Sequence, residues 1–245
     1  MTAPPETADV AIRPCGDTAL SVEFGDRLDP ALNRRVMALD AALRALAPPG
    51  VVETVPTYRA LTLHLDPLVA DLPRLCATLA ELAARPAPAT APGRLWRVPV
   101  VYGGTFGEDL NSVAAHCGLT PEACIEAHAA GRYTVAMVGF LPGFSYLAGL
   151  DPRLEVTRRP EPRLRIPASS ISIGGAQTAI GSVEGPSGWH LIGRTPVRPF
   201  QPGREPAFLF APGDRIRFAP VPAADWHALD AAAAAGAPVA EAIAP

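Results

Sequence analysis

Arg85-Pro-Ala-Pro-Ala-Thr-Ala-Pro-Gly93 is the stretch that divides this chain. Its Pro and Ala content, with no large apolar side chain, reads as a linker over residues 86–93. What lies on either side differs in kind. Upstream, DVAIRP and TALSVEFG read as two short strands around a Cys15–Thr18 turn. Asp29-Pro30 then opens a helix through Ala47, with Asp29 suited to the N-cap and Pro30 to the first helical position. Leu32, Val36, Leu39, Leu43 and Leu46 fall on one stripe of that helix. Val51–Val55 and Ala60–Leu65 read as strands, and Asp71–Arg85 as a second amphipathic helix. Residues 1–85 are therefore expected to form a small α/β domain in the order ββαββα, with helices on one face of a sheet.

Downstream, Leu95–Tyr102 reads as a strand, followed by short helices near Asp109–Cys117 and Pro121–Ala130. From Tyr133 to Ala219 the chain consists of short β-like runs punctuated by Gly and Pro, the pattern of a barrel or a sandwich. Residues 94–222 are expected to be this second domain. Residues 223–245 form an Ala-rich tail, expected as either a loose helix or disorder. The fold class is α+β.

Composition excludes several functions. The 245 residues carry a formal net charge of −3, which argues against a nucleic-acid role because phosphate binding needs a basic surface. No apolar run approaches the roughly 20 residues that span a bilayer, and MTAPPETADV has neither a basic nor an apolar leader region. The cytoplasm is the expected location, with Cys15, Cys76, Cys117 and Cys124 reduced. All 21 basic residues are Arg. Without lysine the chain has no P-loop lysine, no Schiff-base lysine and no attachment point for biotin.

Several short stretches suggest chemistry. Cys124 and His128 share a helical face, but no C-x-x-C pair accompanies them, so no metal site is expected. Gly103-Gly104-Thr105 and Ser172–Thr178 (SIGGAQT) suit either backbone capture of an anion or strand turns that need positive φ. Among the five arginines of residues 151–165, Arg163 stands out because Pro162 and Pro167 restrict its path. MVGFLPGFSYL (137–147) and GPSGWHLIGRT (185–195) are rigid aromatic segments, each either core filling or the wall of a site. No G-x-S-x-G nucleophile elbow is present.

Taken in order, VPVVYGG (98–104), AAHCGL (114–119), GFLPGFSYL (139–147), RRPEPRLRIPASSISIGGAQTAIG (158–181) and GPSGWHLIGRTP (185–196) resemble the family of the B-type subunit of 5-oxoprolinase. That family also takes in the kinase inhibitor KipI and the proteins once called allophanate hydrolase subunit 1. The resemblance implies a cyclophilin-like β-barrel after the small α/β domain. It also implies ATP-dependent opening of 5-oxoproline to glutamate, shared with two partner chains of the enzyme, one C-type and one A-type. ATP would be bound partly by those 5-oxoprolinase partners, and this chain would be inactive alone. Phosphorylation of a lactam or carboxyl oxygen needs donors where negative charge develops. Arg163, Gln177 and Arg194 are the expected catalytic groups. Phe140, Phe144 and Tyr146 are expected to wall an apolar pocket, and Pro167, Ser169, Thr178 and Trp189 complete the expected substrate-binding set. Ser169, Ala179, Gly181, Ser182 and Ser187 depart from the family pattern, consistent with a changed substrate or a lost activity. The rival expectations are a KipI-like inhibitor of a sensor histidine kinase and a component of a urea- or amide-carboxylating system.

Overall fold

The computed structural model describes residues 10–87 and 93–243; residues 88–92, most of the expected linker, lie outside the described residues. Two compact units result, one within Met1–Ala91 and one within Pro92–Pro245.

In the first unit, β1 (Ala11–Pro14) and β2 (Ala19–Glu23) precede α1 (Pro30–Leu46), then β3 (Val51–Pro56), β4 (Ala60–Leu65) and α2 (Leu72–Ala84). Both helices start where their caps direct. Asp29 accepts from Ala31 N and Asp71 from Arg74 N, each with Pro in the first turn. The sheet is antiparallel in the order β1-β2-β4-β3. Val36, Leu39 and Leu43 of α1 and Leu75, Leu79 and Ala83 of α2 pack on Ile12, Val22, Leu61 and Leu63 of the strands. Each large apolar side chain buried there contributes roughly 1.5–3 kcal/mol.

The second unit begins with β5 (Leu95–Tyr102), α3 (Leu110–His116) and α4 (Pro121–Ala130). Strands follow as β6 (Tyr133–Val138), β7 (Ser145–Ala148), β8 (Arg163–Ile166), β9 (Ser170–Gly174), β10 (Gln177–Ile180), β11 (Gly185–Ser187), β12 (His190–Arg194) and β13 (Arg215–Pro220). The last elements are α5 (Trp226–Ala234) and β14 (Glu241–Ile243). Seven strands run β12-β9-β10-β7-β6-β13-β5, and β5 returns to β12 through Gly193↔Tyr102 and Arg194↔Val101, so the barrel closes. Closure removes the sheet edges that a sandwich would leave. Its core includes Val98, Val100, Val135, Leu147, Ile171, Ile173, Ile180, Ile192 and Ile216, with Cys124 and Ala127 of α4 and Val113 of α3. β8 and β11 form a separate antiparallel ribbon.

The Ala-rich tail differs from a loose appendage. Trp226, Ala233 and Ala240 are buried, and β14 pairs with the first half of β5 through Ile243↔Leu95 and Glu241↔Arg97. Among the described residues, no helix is long and apolar enough to cross a membrane.

Candidate functional site

The β9–β10 hairpin organises the site because its residues alternate between two surroundings. Ile171, Ile173 and Ile180 enter the barrel core, whereas Ala179 belongs to a separate cluster with Phe144 and Trp189, flanked by Leu141 and Tyr146. Ala179 pairs directly with Tyr146 across β10 and β7. Ring centroids are 4.8 Å apart for Phe144–Tyr146 and 5.7 Å for Tyr146–Trp189, and the Arg158 guanidinium lies 5.9 Å from the Trp189 ring. Gly174 is required there: a Cβ would come within 2.6 Å of Trp189 Cδ2. Gln177 pairs with Gly174 and shares the Ala179 side of β10.

The segment Gly139–Phe144 turns at Pro142-Gly143. Phe144 N donates to Leu141 O at 3.0 Å and Gly143 has φ +76°, the arrangement of a turn with Pro second and Gly third. Phe140 also adopts a left-handed φ, +70°, and stays 62% exposed while its ring meets Phe144 edge-on at 5.6 Å. The three rings form a packed patch that presents Phe140 to solvent. A left-handed conformation costs a bulky residue roughly 1–2 kcal/mol.

Arg163 faces a carboxylate. Its Nη1 donates to Asp109 Oδ2 at 2.7 Å and its Nη2 to Oδ1 at 2.9 Å, with Glu108 3.3 Å away. Arg159 Nη1 and Leu191 N complete the shell of Asp109 at 3.0 and 2.8 Å. Burial by itself would raise the Asp109 pKa, but the Arg163 and Leu191 hydrogen bonds and both guanidinium charges outweigh it and hold the carboxyl below its ordinary range. The expected catalytic cation is thus engaged in tying the ribbon's β8 to β12 and to the start of α3, and Arg163 becomes a positioning residue. Sequence reading passed over Asp109 as a helix start. It occupies the N-cap position of α3, yet its side chain makes no capping bond.

Pro167, Ser169 and Arg194 meet at one turn. Arg194 Nε and Nη2 donate to Ala168 O at 3.3 and 3.1 Å, and its guanidinium lies 4.8 Å from the Trp226 ring centroid. Trp226 in turn meets Phe106 at 4.7 Å. Burial lowers the Arg194 pKa, yet a guanidinium remains charged at neutral pH. Among the described residues, no carboxylate lies within ion-pair distance of it. Ser169 sits fully buried at φ +59°, a conformation natural to glycine, and its Oγ donates to Val197 O at 2.8 Å. Ser187 also has a local role, since its Oγ accepts from Trp189 N at 3.1 Å.

Thr178 lies on the barrel's inner side, away from the aromatic patch. Its Oγ1 is 2.9 Å from Ser172 O and 2.9 Å from His128 Nε2, while Tyr102 Oη is 2.8 Å from His128 Nδ1. A carbonyl only accepts, so Thr178 donates to Ser172 O and accepts from His128 Nε2–H. Nδ1 is then the bare nitrogen that accepts from Tyr102. The ring is fully buried, stacked 4.8 Å from Phe218, and burial pushes its pKa down to about 3. Thr178 therefore supports the core. Thr178→Val will leave the His128 N–H without its partner; urea unfolding should report a loss of about 1–3 kcal/mol.

The expected site residues thus separate into an outer aromatic patch (Phe140, Phe144, Tyr146, Trp189, beside Gln177), a turn bearing Arg194, Ser169 and Pro167, and the Asp109–Arg163 tie. Residues 10–210 match the family described as carboxyltransferase domain, subdomain C and D. The B-type subunit of 5-oxoprolinase from Bacillus subtilis (strain 168) is 35% identical over 91% of this chain and 97% of its own length. Its counterpart from Escherichia coli O157:H7 is 40% identical over 84% of this chain and 93% of its own length. The solved structure of TTHA0988 superposes with a TM-score of 0.74 at 38% identity, covering 83% of this chain but only 40% of that one. On those identities and that match, this chain belongs to the family of the B-type subunit of 5-oxoprolinase.

Proposed function

We propose that this chain is one component of an ATP-dependent 5-oxoprolinase that opens 5-oxoproline to glutamate in the cytoplasm. It is inactive alone and works with an A-type and a C-type partner. The observation that carries this reading is the 35–40% identity to proteins named as the B-type subunit of that enzyme, spanning 97% and 93% of the two compared above.

The chemistry assigned to the residues follows from their surroundings. Phosphoryl transfer from ATP to the lactam oxygen concentrates negative charge on oxygen atoms, and a cation held without a counter-charge in a water-poor site stabilises it most. Arg194 comes nearer to that than Arg163, whose charge Asp109 already answers. Arg194 is half-buried and, among the described residues, in ion-pair contact with no carboxylate, although Asp230 and Glu184 act on it from further off. Gln177 adds an amide donor beside the hairpin's turn. The lysine-free chain leaves ATP's phosphates to arginines and to partner residues. Phe140, exposed and held in a strained conformation, offers an apolar contact to the lactam ring or to one of the partner chains.

The test is reconstitution from the three purified proteins, with glutamate release and ATP hydrolysis both measured. The three-chain mixture should hydrolyse ATP only when 5-oxoproline is present, and each chain omitted in turn should abolish turnover. Arg194→Gln should lower kcat by about 10²–10³-fold, the loss expected for a transition-state donor, while the complex still assembles. A fully assembled complex that neither consumes 5-oxoproline nor depends on it for ATP hydrolysis would defeat the assignment.

A further inference from the structure

We propose that the cavity between residues 197–209 and the α5–β14 segment binds a small organic carboxylate with an apolar body. This is independent of the 5-oxoprolinase assignment. The cavity has a volume of about 460 Å³, within the roughly 300–1,000 Å³ of small-molecule sites. Trp96, Val197, Leu209 and Val239 supply apolar walls; among the described residues, Arg198 and Arg204 are its only charges and no acidic residue lines it.

The two arginines differ. Arg198 is paired with Asp230. Arg204 instead bonds to carbonyls. Its Nε donates to Pro206 O at 3.2 Å, its Nη1 to Arg198 O at 3.0 Å, and its Nη2 to Pro199 O and Ala207 O at 3.3 and 3.1 Å. Four donors thus reach neutral carbonyls, and one Nη1 hydrogen remains for a ligand. The guanidinium is held rigidly by its own loop, half-buried, with its charge unanswered among the described residues. Burial lowers its pKa, and no neighbouring carboxylate opposes that effect. A partly desolvated cation beside an apolar cavity gains from an anion that carries its own apolar surface, and a guanidinium matches a carboxylate in shape and charge. An inorganic anion would satisfy the charge but leave the walls around Trp96 and Val239 unfilled.

Calorimetric titration of the full chain with benzoate, benzamide, 5-oxoproline and inorganic phosphate tests this. Benzoate should bind saturably and at least tenfold more tightly than benzamide, its neutral counterpart of similar shape, and more tightly than phosphate. Arg204→Gln should weaken benzoate at least tenfold. Because that change also disturbs the loop, Ala237→Phe provides the second arm: position 237 is exposed at the cavity lining, so the ring should obstruct entry and weaken benzoate tenfold while the melting temperature holds. Comparable binding of 5-oxoproline would extend the carboxylate class to it; failure there with benzoate bound would restrict the site to aromatic acids. Equal affinity for benzoate and benzamide, preference for phosphate, or benzoate affinity unchanged in Ala237→Phe would each overturn the proposal.

Discussion

Asp109→Ala will lower the melting temperature by about 6–20 °C. The variant leaves Arg159 and Arg163 without their shared carboxylate and removes the acceptor of Leu191 N–H, three losses at a residue only 5% exposed. Breaking a buried ion pair by deleting one member costs about 3–5 kcal/mol, because the remaining charges stay desolvated. A domain of this size loses about 2–4 °C per kcal/mol. Glu108→Ala is the control: its side chain is 62% exposed and reaches Arg163 only at 3.3 Å, so it should cost less than about 1 kcal/mol. In an assembled enzyme, Asp109→Ala should also loosen the β8–β11 ribbon, whereas Arg163→Lys keeps the charge but not the two-pronged geometry and should recover only part of the stability. Equal melting temperatures for the Asp109→Ala and Glu108→Ala variants would remove Asp109 from its place as the tie.

Acidification should destabilise the protein well above the carboxylate range, and His128 is the reason. Its pKa, pushed down to about 3 by burial, lies far below the ordinary imidazole value of 6.5. The unfolded chain takes up a proton near pH 6.5 that the folded chain refuses until about pH 3, so stability is lost as pH falls across that interval. One such proton is worth roughly 1.4 kcal/mol per pH unit, or roughly 3 kcal/mol by pH 4.5. Asp109 acts lower on the scale: its depressed pKa adds stability above the ordinary carboxylate value, and that contribution disappears only as pH drops through the folded value. Urea titrations at pH 7.5, 6.5, 5.5 and 4.5 separate the two. Wild type should weaken steadily below pH 6.5, and His128→Gln, less stable at neutral pH, should show a much flatter profile. A wild-type profile that stays level down to pH 4.5 would mean the imidazole is not held neutral.

Two departures from the family pattern have physical settings in the fold. Ser169 bears a left-handed conformation that glycine would adopt without cost, and its hydroxyl recovers part of that cost through Val197 O. Ala179 places a methyl group inside the Phe144–Trp189 cluster, where glycine would leave a gap.

Several features were legible from local sequence. The caps at Asp29 and Asp71, the apolar stripe of α1 and the ββαββα order depend on contacts within a turn or two of chain, and residue type decides those. The Pro142-Gly143 turn belongs with them, because it requires only a fixed φ followed by a positive one. Gln177 and Thr178 are both expected in the site, yet as neighbours on β10 they face opposite ways. Which of the two faces inward was decided by barrel closure, which carried Thr178 to His128, 50 residues earlier in the chain. The Asp109–Arg163 tie spans 54 residues, and β14 reaches β5 from the far end of the chain. Such pairings depend on the path of the whole backbone: a carboxylate reads as a helix cap until the fold brings two guanidinium groups against it.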